Sequence, residues 1–193
     1  EAIAFEQDVS HPPHIHCGKG LTISNNNCLS IDGQPSFSWI VVKPYGPGHY
    51  INGFNVQGNV FRTSNTRVTR AERIDTTFAT MDMWRMRNIL FEGNCFNGVD
   101  EVTRNPHINV HSQNSPDATW TVDTEAFLPF GGYTRTIDAL VPVQAIRNGS
   151  GQAVFAQPYV DPVNGSNTHE FRIIWPEPVE GDIRYSVRMD DPS

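Results

Sequence analysis

Cysteine is scarce in this chain, and what little there is does not pair by spacing. Cys17, Cys28 and Cys95 are its three cysteines and none forms a CxxC pair, which excludes a zinc ribbon, a thioredoxin-like site and a disulfide scaffold. Free, reduced thiols are the expectation. Long apolar runs are also missing, as is a signal-peptide pattern, so no membrane insertion is expected. Charged residues are 18% of the chain, against about a quarter in ordinary globular domains. A helical bundle needs Leu, Ala, Glu and Lys. This sequence uses Asn, Thr, Ser and Gly instead, a composition suited to an all-β protein with many turns. No GxSxG elbow, P-loop, HExxH or GxGxxG is present.

The net charge is −7, which argues against nucleic acid or acidic membranes as partners. The charge is uneven, however. Seven of the twelve arginines (Arg62, Arg67, Arg70, Arg73, Arg85, Arg87 and Arg104) lie in the one stretch from Arg62 to Arg104. They either pair with nearby acids or form a basic face for an acidic ligand.

What is present is a repeat. Leu21, Ile23 and Cys28 surround Asn26; Phe54, Val56 and Phe61 surround Asn59; Ile89, Phe91 and Phe96 surround Asn94, in the same eight-residue pattern at spacings of 33 and 35. Apolar residues two apart share one side of a strand. An Asn or Gly before a second Asn makes a sharp turn, because both tolerate left-handed backbone angles. The pattern therefore describes strand, corner, strand, with the asparagines stacked in register and Ile23, Val56 and Phe91 buried. The segment 80–87 has helical character and reads as a short excursion between strands.

The segments NGFNVQGNVFR and RNILFEGNCFNG resemble rungs of the pectate-lyase-like right-handed parallel β-helix superfamily. That resemblance covers roughly residues 15–115. It implies β-helix coils, with segments 36–50 and 63–80 projecting as loops. Pro106 and Asn114-Ser-Pro116 mark a break, after which alternating segments and two Asn-Gly-Ser turns, at Asn148 and Asn164, suggest an antiparallel β-sandwich. Pro176, Pro178 and Gly181 read as a hairpin separating its last two strands. Two units are expected, residues 1–117 and 118–193, with the second capping the open end of the first.

The candidate site residues follow. Flat rings stack on sugars, and Tyr45, Tyr50 and Trp84 lie in the expected loops. Arg70, Arg73 and Arg85 suit acidic sugar groups. Glycoside hydrolysis needs two carboxylates across the scissile bond. Asp75, Asp82 and Glu92 lie in the right region, and their spacing singles out no pair. His14 and His16, two apart in HPPHIHC, could chelate a metal; His107 and His111, four apart on a strand, form a lesser pair. No other cofactor is expected. The fold resemblance extends to tailspikes and capsid spikes of phages and gene transfer agents. It implies a homotrimeric spike module, assembled in the bacterial cytoplasm with other particle proteins, that recognises bacterial surface polysaccharide at the surface of a virion or phage-like particle. A polysaccharide lyase, hydrolase or epimerase is the alternative, and a purely structural assembly module is the second alternative.

Overall fold

A computed structural model describes residues 3–6, 17–166 and 168–192. The protein is all-β. Nine short strands come first: β1 (Ile3–Glu6), β2 (Cys17–Ser24), β3 (Asn27–Ser30), β4 (Ile40–Lys43), β5 (Tyr50–Gln57), β6 (Val60–Thr63), β7 (Glu72–Ile74), β8 (Arg87–Glu92) and β9 (Cys95–Asn97). They build three separate three-stranded sheets, β1-β4-β7, β2-β5-β8 and β3-β6-β9. Every pairing within them is parallel. The chain therefore visits the three sheets in the same order three times.

The asparagine repeat sets this register. Ile23 pairs with Val56 and Val56 with Phe91, and all three are buried. The residue before each repeat asparagine is left-handed: Asn25 (φ 57°), Gly58 (φ 64°) and Gly93 (φ 65°). A Cβ at Gly58 would also lie 2.6 Å from Asn25 Oδ1, so the Asn25 side chain would have to move. At the corners the side chains form a ladder. Asn26 Nδ2 donates to Asn59 Oδ1, and Asn59 Nδ2 donates to Asn94 Oδ1, both at 3.0 Å. The same two oxygens accept from the backbone amides of Asn26 and Asn59. Asn59 Nδ2 and Asn94 Nδ2 reach back to the carbonyls of Ile23 and Val56. Phe54, Phe61, Ile89, Phe91 and Trp39 fill the interior between the sheets. The helical excursion is a single 3-10 turn, Met83–Arg85. Cys28 and Cys95 are free thiols.

The remaining strands are β10 (His107–Asp123), β11 (Thr136–Pro142), β12 (Arg147–Asn148), β13 (Tyr159–Asn164) and β14 (Glu170–Arg188). They differ from expectation in three ways. Asn114-Ser-Pro116 does not break the chain; it lies inside β10, where the pairing with β14 shifts register between Gln113 and Asp117. The expected divide at 117 thus falls within a strand. Pro176, Pro178 and Gly181 do not form a hairpin either, since all three lie inside the 19-residue β14. Thr119 opposes Ile174 and Asp117 opposes Val179, so the prolines sit in a bulged stretch where β14 makes no ladder bond to β10 and their missing N–H groups leave no gap. Finally, these strands make one five-stranded antiparallel sheet built on β14, where two packed sheets were expected. The Asn148 and Asn164 segments are turns, as their chemistry requires. Trp120, Val122, Phe171, Ile173, Trp175 and Tyr185 are buried on one side of this sheet.

The two parts meet along the edge of β8. Ile89 N donates to the buried Asp190 carboxylate at 2.7 Å. Asn105 Nδ2 bridges the Ile89 carbonyl and Asp190, while Asn105 Oδ1 accepts from Met189 N. Arg188 closes the network onto Asp190 and the Ile89 carbonyl. Phe91 bridges Asn105, and Arg87 bridges Asp191.

The ladder and the core give an ordered set of expected stabilities. Phe91→Ala destabilises by about 3–5 kcal/mol. Asn59→Ala orphans buried groups above and below it at about 1–3 kcal/mol each, so it costs more than Asn26→Ala at the exposed end of the ladder. Urea denaturation of the three variants checks this order; equal costs at Asn59 and Asn26 would contradict it.

Candidate ligand-binding cleft

Strand β7 runs beneath a surface depression with two arms, of about 470 and 520 Å³, that meet along Arg70, Glu72 and Arg73. One wall of the first arm is the segment after β10, contributing Glu125, Phe130 and Tyr133, with His169 just before β14. Met81 and Met83 also line this arm. The second arm is polar, lined by Ser36, Ser38, Thr69, Asp75 and Thr77.

Arg70 and Arg73 are both brought here, with different duties. Arg70 pairs with Glu101 and donates to the carbonyls of Glu125 and Leu128. Its guanidinium therefore ties the segment before β7 to the far wall, and it is a brace. Arg73 is more open, 4.0 Å from Asp75, and is the cation best placed to meet a ligand. Trp84 is 52% exposed and packs edge-on to Tyr133 at 5.3 Å, which carries the aromatic surface to the rim of the first arm. Tyr45 stacks on Phe78 at 4.6 Å, with Lys43 over both rings. Tyr50 is covered by the Arg85 guanidinium, 4.2 Å from its centroid. Arg85 and Tyr50 thus present one joint surface.

The candidate acids are engaged locally. Asp75 accepts from the Thr77 hydroxyl and backbone amide and is flanked by Lys43 and Arg73. The Thr77 hydrogen bonds are the main reason its carboxyl is held below the usual range. Asp82 caps the 3-10 turn by accepting from Trp84 N. Glu92 is an exposed end-of-strand residue touching Gln57 at 3.5 Å. Each belongs to a separate local structure. His107 is buried face to face with Phe127 at 4.6 Å, and His111 lies against Trp120, so both belong to ring stacks. His14 and His16 lie outside the described residues. Among the described residues, the cluster with metal-ligating chemistry is Asp123, Glu125 and His169.

Sequence reasoning missed Glu72, Phe78, Tyr133 and His169. Glu72 is fully buried under the cleft floor. Its carboxylate accepts from the Thr103 hydroxyl at 3.0 Å and from Phe130 N at 3.3 Å. Burial raises its pKa to about 7, against the opposing pull of Arg70.

No family model, curated protein or solved structure matches this chain. The cleft is therefore read from its own chemistry.

Glu72 makes stability depend on pH. The folded protein holds this proton more tightly than the unfolded chain, so the contribution is complete below about 4.5 and lost as pH rises to about 7. Its full size is on the order of 3 kcal/mol. His107 acts oppositely. Burial, aided by Arg104, pushes its pKa down to about 4, so its contribution is complete above about 6.5 and lost on acidification. The two slopes oppose each other in the parent protein. Glu72→Gln is expected to leave stability rising with pH between about 4 and 6.5, and His107→Gln to leave it falling from about 4.5 to 7, by chemical denaturation across that range. Parallel curves for parent and Glu72→Gln would refute the assignment.

Proposed function

We propose that residues 17–105 are coils of a right-handed parallel β-helix, capped by the antiparallel sheet. We further propose that the protein is a spike or fibre module of a phage or phage-like particle that holds an acidic bacterial surface polysaccharide. Arg73 at the meeting of the two cleft arms, with Tyr133 in the lining of the first arm and packed against Trp84, is the observation that carries this reading. A shallow site holds a sugar by ring faces and a few aimed polar groups. Arg73 supplies the charge for an acidic sugar, while Arg70 keeps the wall in place.

The module is proposed to act as a homotrimer on the particle surface, alongside other particle proteins. Ile108 and Val110 on β10 and Val141 and Val143 on and after β11 are exposed apolar residues of the antiparallel sheet; packing between protomers would cover such a surface. Light scattering at micromolar concentration is then expected to give a mass near three chains.

One observation favours an enzyme: Glu72 keeps a proton near neutral pH beneath the cleft, as a general acid must. Full burial keeps it from substrate in this conformation, so binding without cleavage is the preferred reading.

Acidic capsular polysaccharide is expected to bind the parent protein without shortening or gaining unsaturated ends. Arg73→Ala and Trp84→Ala each weaken binding about fivefold to tenfold, or ~1–1.4 kcal/mol, and salt weakens the parent more than Arg73→Ala because exposed charges are screened over about 10 Å at 0.1 M. Binding that is unchanged in folded Arg73→Ala, Trp84→Ala and Tyr45→Ala places the site elsewhere. Shortened chains turn the reading to an enzyme, and no binding by the parent turns it to a structural module.

A further inference from the structure

We propose that Asp123, Glu125 and His169, on the wall of the first cleft arm, form a binding site for a divalent transition-metal cation such as Zn²⁺. One ligand atom from each residue lies within 4.8 Å of the others. Two exposed carboxylates alone would carry no such inference, and His169 is what distinguishes this cluster. It is 9% exposed, and neither of its buried ring nitrogens makes a hydrogen bond. A buried imidazole with both nitrogens unsatisfied is costly. Its nearest acceptors are the two carboxylates, with Nδ1 3.8 Å from Asp123 Oδ1 and Nε2 3.7 Å from Glu125 Oε1. These gaps are too long for a hydrogen bond. A single ion takes one of the two ring nitrogens, and that nitrogen and one oxygen of each acid lie within 4.8 Å of one another; rotation of the two exposed carboxylates brings them toward the separation of about 3.3 Å that a tetrahedral zinc imposes on ligands at its usual bond lengths.

The backbone around the cluster is held from several sides. Asp123 ends β10 opposite Glu170, the first residue of β14. Thr124 lies between the two acids, and both its N–H and its hydroxyl donate to the His169 carbonyl, at 2.9 and 2.8 Å. Arg70 grips the Glu125 carbonyl at 2.6 Å, and Glu125 N donates to Asp123 Oδ1 at 2.8 Å. Asp123 at the end of β10 and His169 just before β14 are thereby held side by side, with Glu125 in the turn between β10 and the cleft wall.

The donor set selects the metal. Calcium and magnesium favour all-oxygen shells, whereas one imidazole with two carboxylates suits zinc, and manganese less tightly. Three protein ligands leave a zinc ion at least one position for water or for an oxygen of a bound molecule, and His169 and Glu125 line the cleft. The site does not depend on the polysaccharide reading, and its test contains no glycan.

The experiment is calorimetric titration of the full chain with Zn²⁺, with Mg²⁺ as the control. One Zn²⁺ per chain is expected to bind with micromolar affinity, with no heat from Mg²⁺. Glu125→Gln and Asp123→Asn, whose side chains are exposed and not part of the core, each weaken Zn²⁺ binding at least tenfold, and His169→Gln abolishes it. His14→Gln/His16→Gln leaves it unchanged. Absence of Zn²⁺ binding, or binding lost in His14→Gln/His16→Gln and kept in both Glu125→Gln and Asp123→Asn, overturns the proposal.

Discussion

A stack of parallel strands ends in a row of backbone groups with no next strand to pair with, and the architecture of this protein follows from how that end is met. Buried N–H and C=O groups cannot be left unsatisfied. At the edge of β8, Ile89 N finds the Asp190 carboxylate and the Ile89 carbonyl finds Asn105 and Arg188. A buried carboxylate is tolerable only with such company, and Asp190 has an arginine, an amide side chain and a backbone amide. At β7 the roles are reversed, and the Glu72 carboxylate accepts from Phe130 N, a backbone group of the segment before β11. These contacts bring the antiparallel sheet and the segment before β11 against the parallel strands.

The cleft is a by-product of that junction. The segment carrying Glu125, Phe130 and Tyr133 must lie over β7 for Glu72 and Arg70 to reach it, and the space left beside it is the first arm. Arginine is suited to the bracing role because its planar fork serves several acceptors at once, and Arg70 reaches Glu101, Glu125 and Leu128. The basic stretch of the sequence is therefore divided between structure and surface. Arg67, Arg70 and Arg87 have close acidic partners, and Arg73, 4.0 Å from Asp75, lies where the two cleft arms meet.

The parallel half was legible in the sequence because its signal is local and repeated. Each corner carries its own left-handed residue, its own asparagine and its own inward apolar pair, so Asn26, Asn59 and Asn94 could be aligned without knowing what lay between. The antiparallel half was less legible. Pro176, Pro178 and Gly181 are ordinary turn residues, and nothing local reveals that they sit in a bulge of one long strand held along its length by β10. The alternating segments 119–122, 170–175 and 182–188 lie in β10 and β14, whereas 141–146 and 153–155 alternate as well and fall mostly outside strands, and alternation does not tell one sheet from two packed ones. The site divides in the same way. Arg73 and Trp84 stood out by type and neighbourhood. Glu72 and His169 did not, because what makes each unusual comes from far along the chain: Thr103 and Phe130 for Glu72, Asp123 and Glu125 for His169.

The central claim is that the ligand lies at the junction between the two parts and not on the outer face of the sheet. Methyl-resolved NMR tests it most directly, because Met81 and Met83 line the first arm while Val110 and Val141 lie on the exposed sheet face. During titration with an acidic bacterial oligosaccharide, the account predicts saturable shifts of the Met81 and Met83 methyl signals with Val110 and Val141 unmoved. Saturable shifts confined to Val110 and Val141 would contradict it.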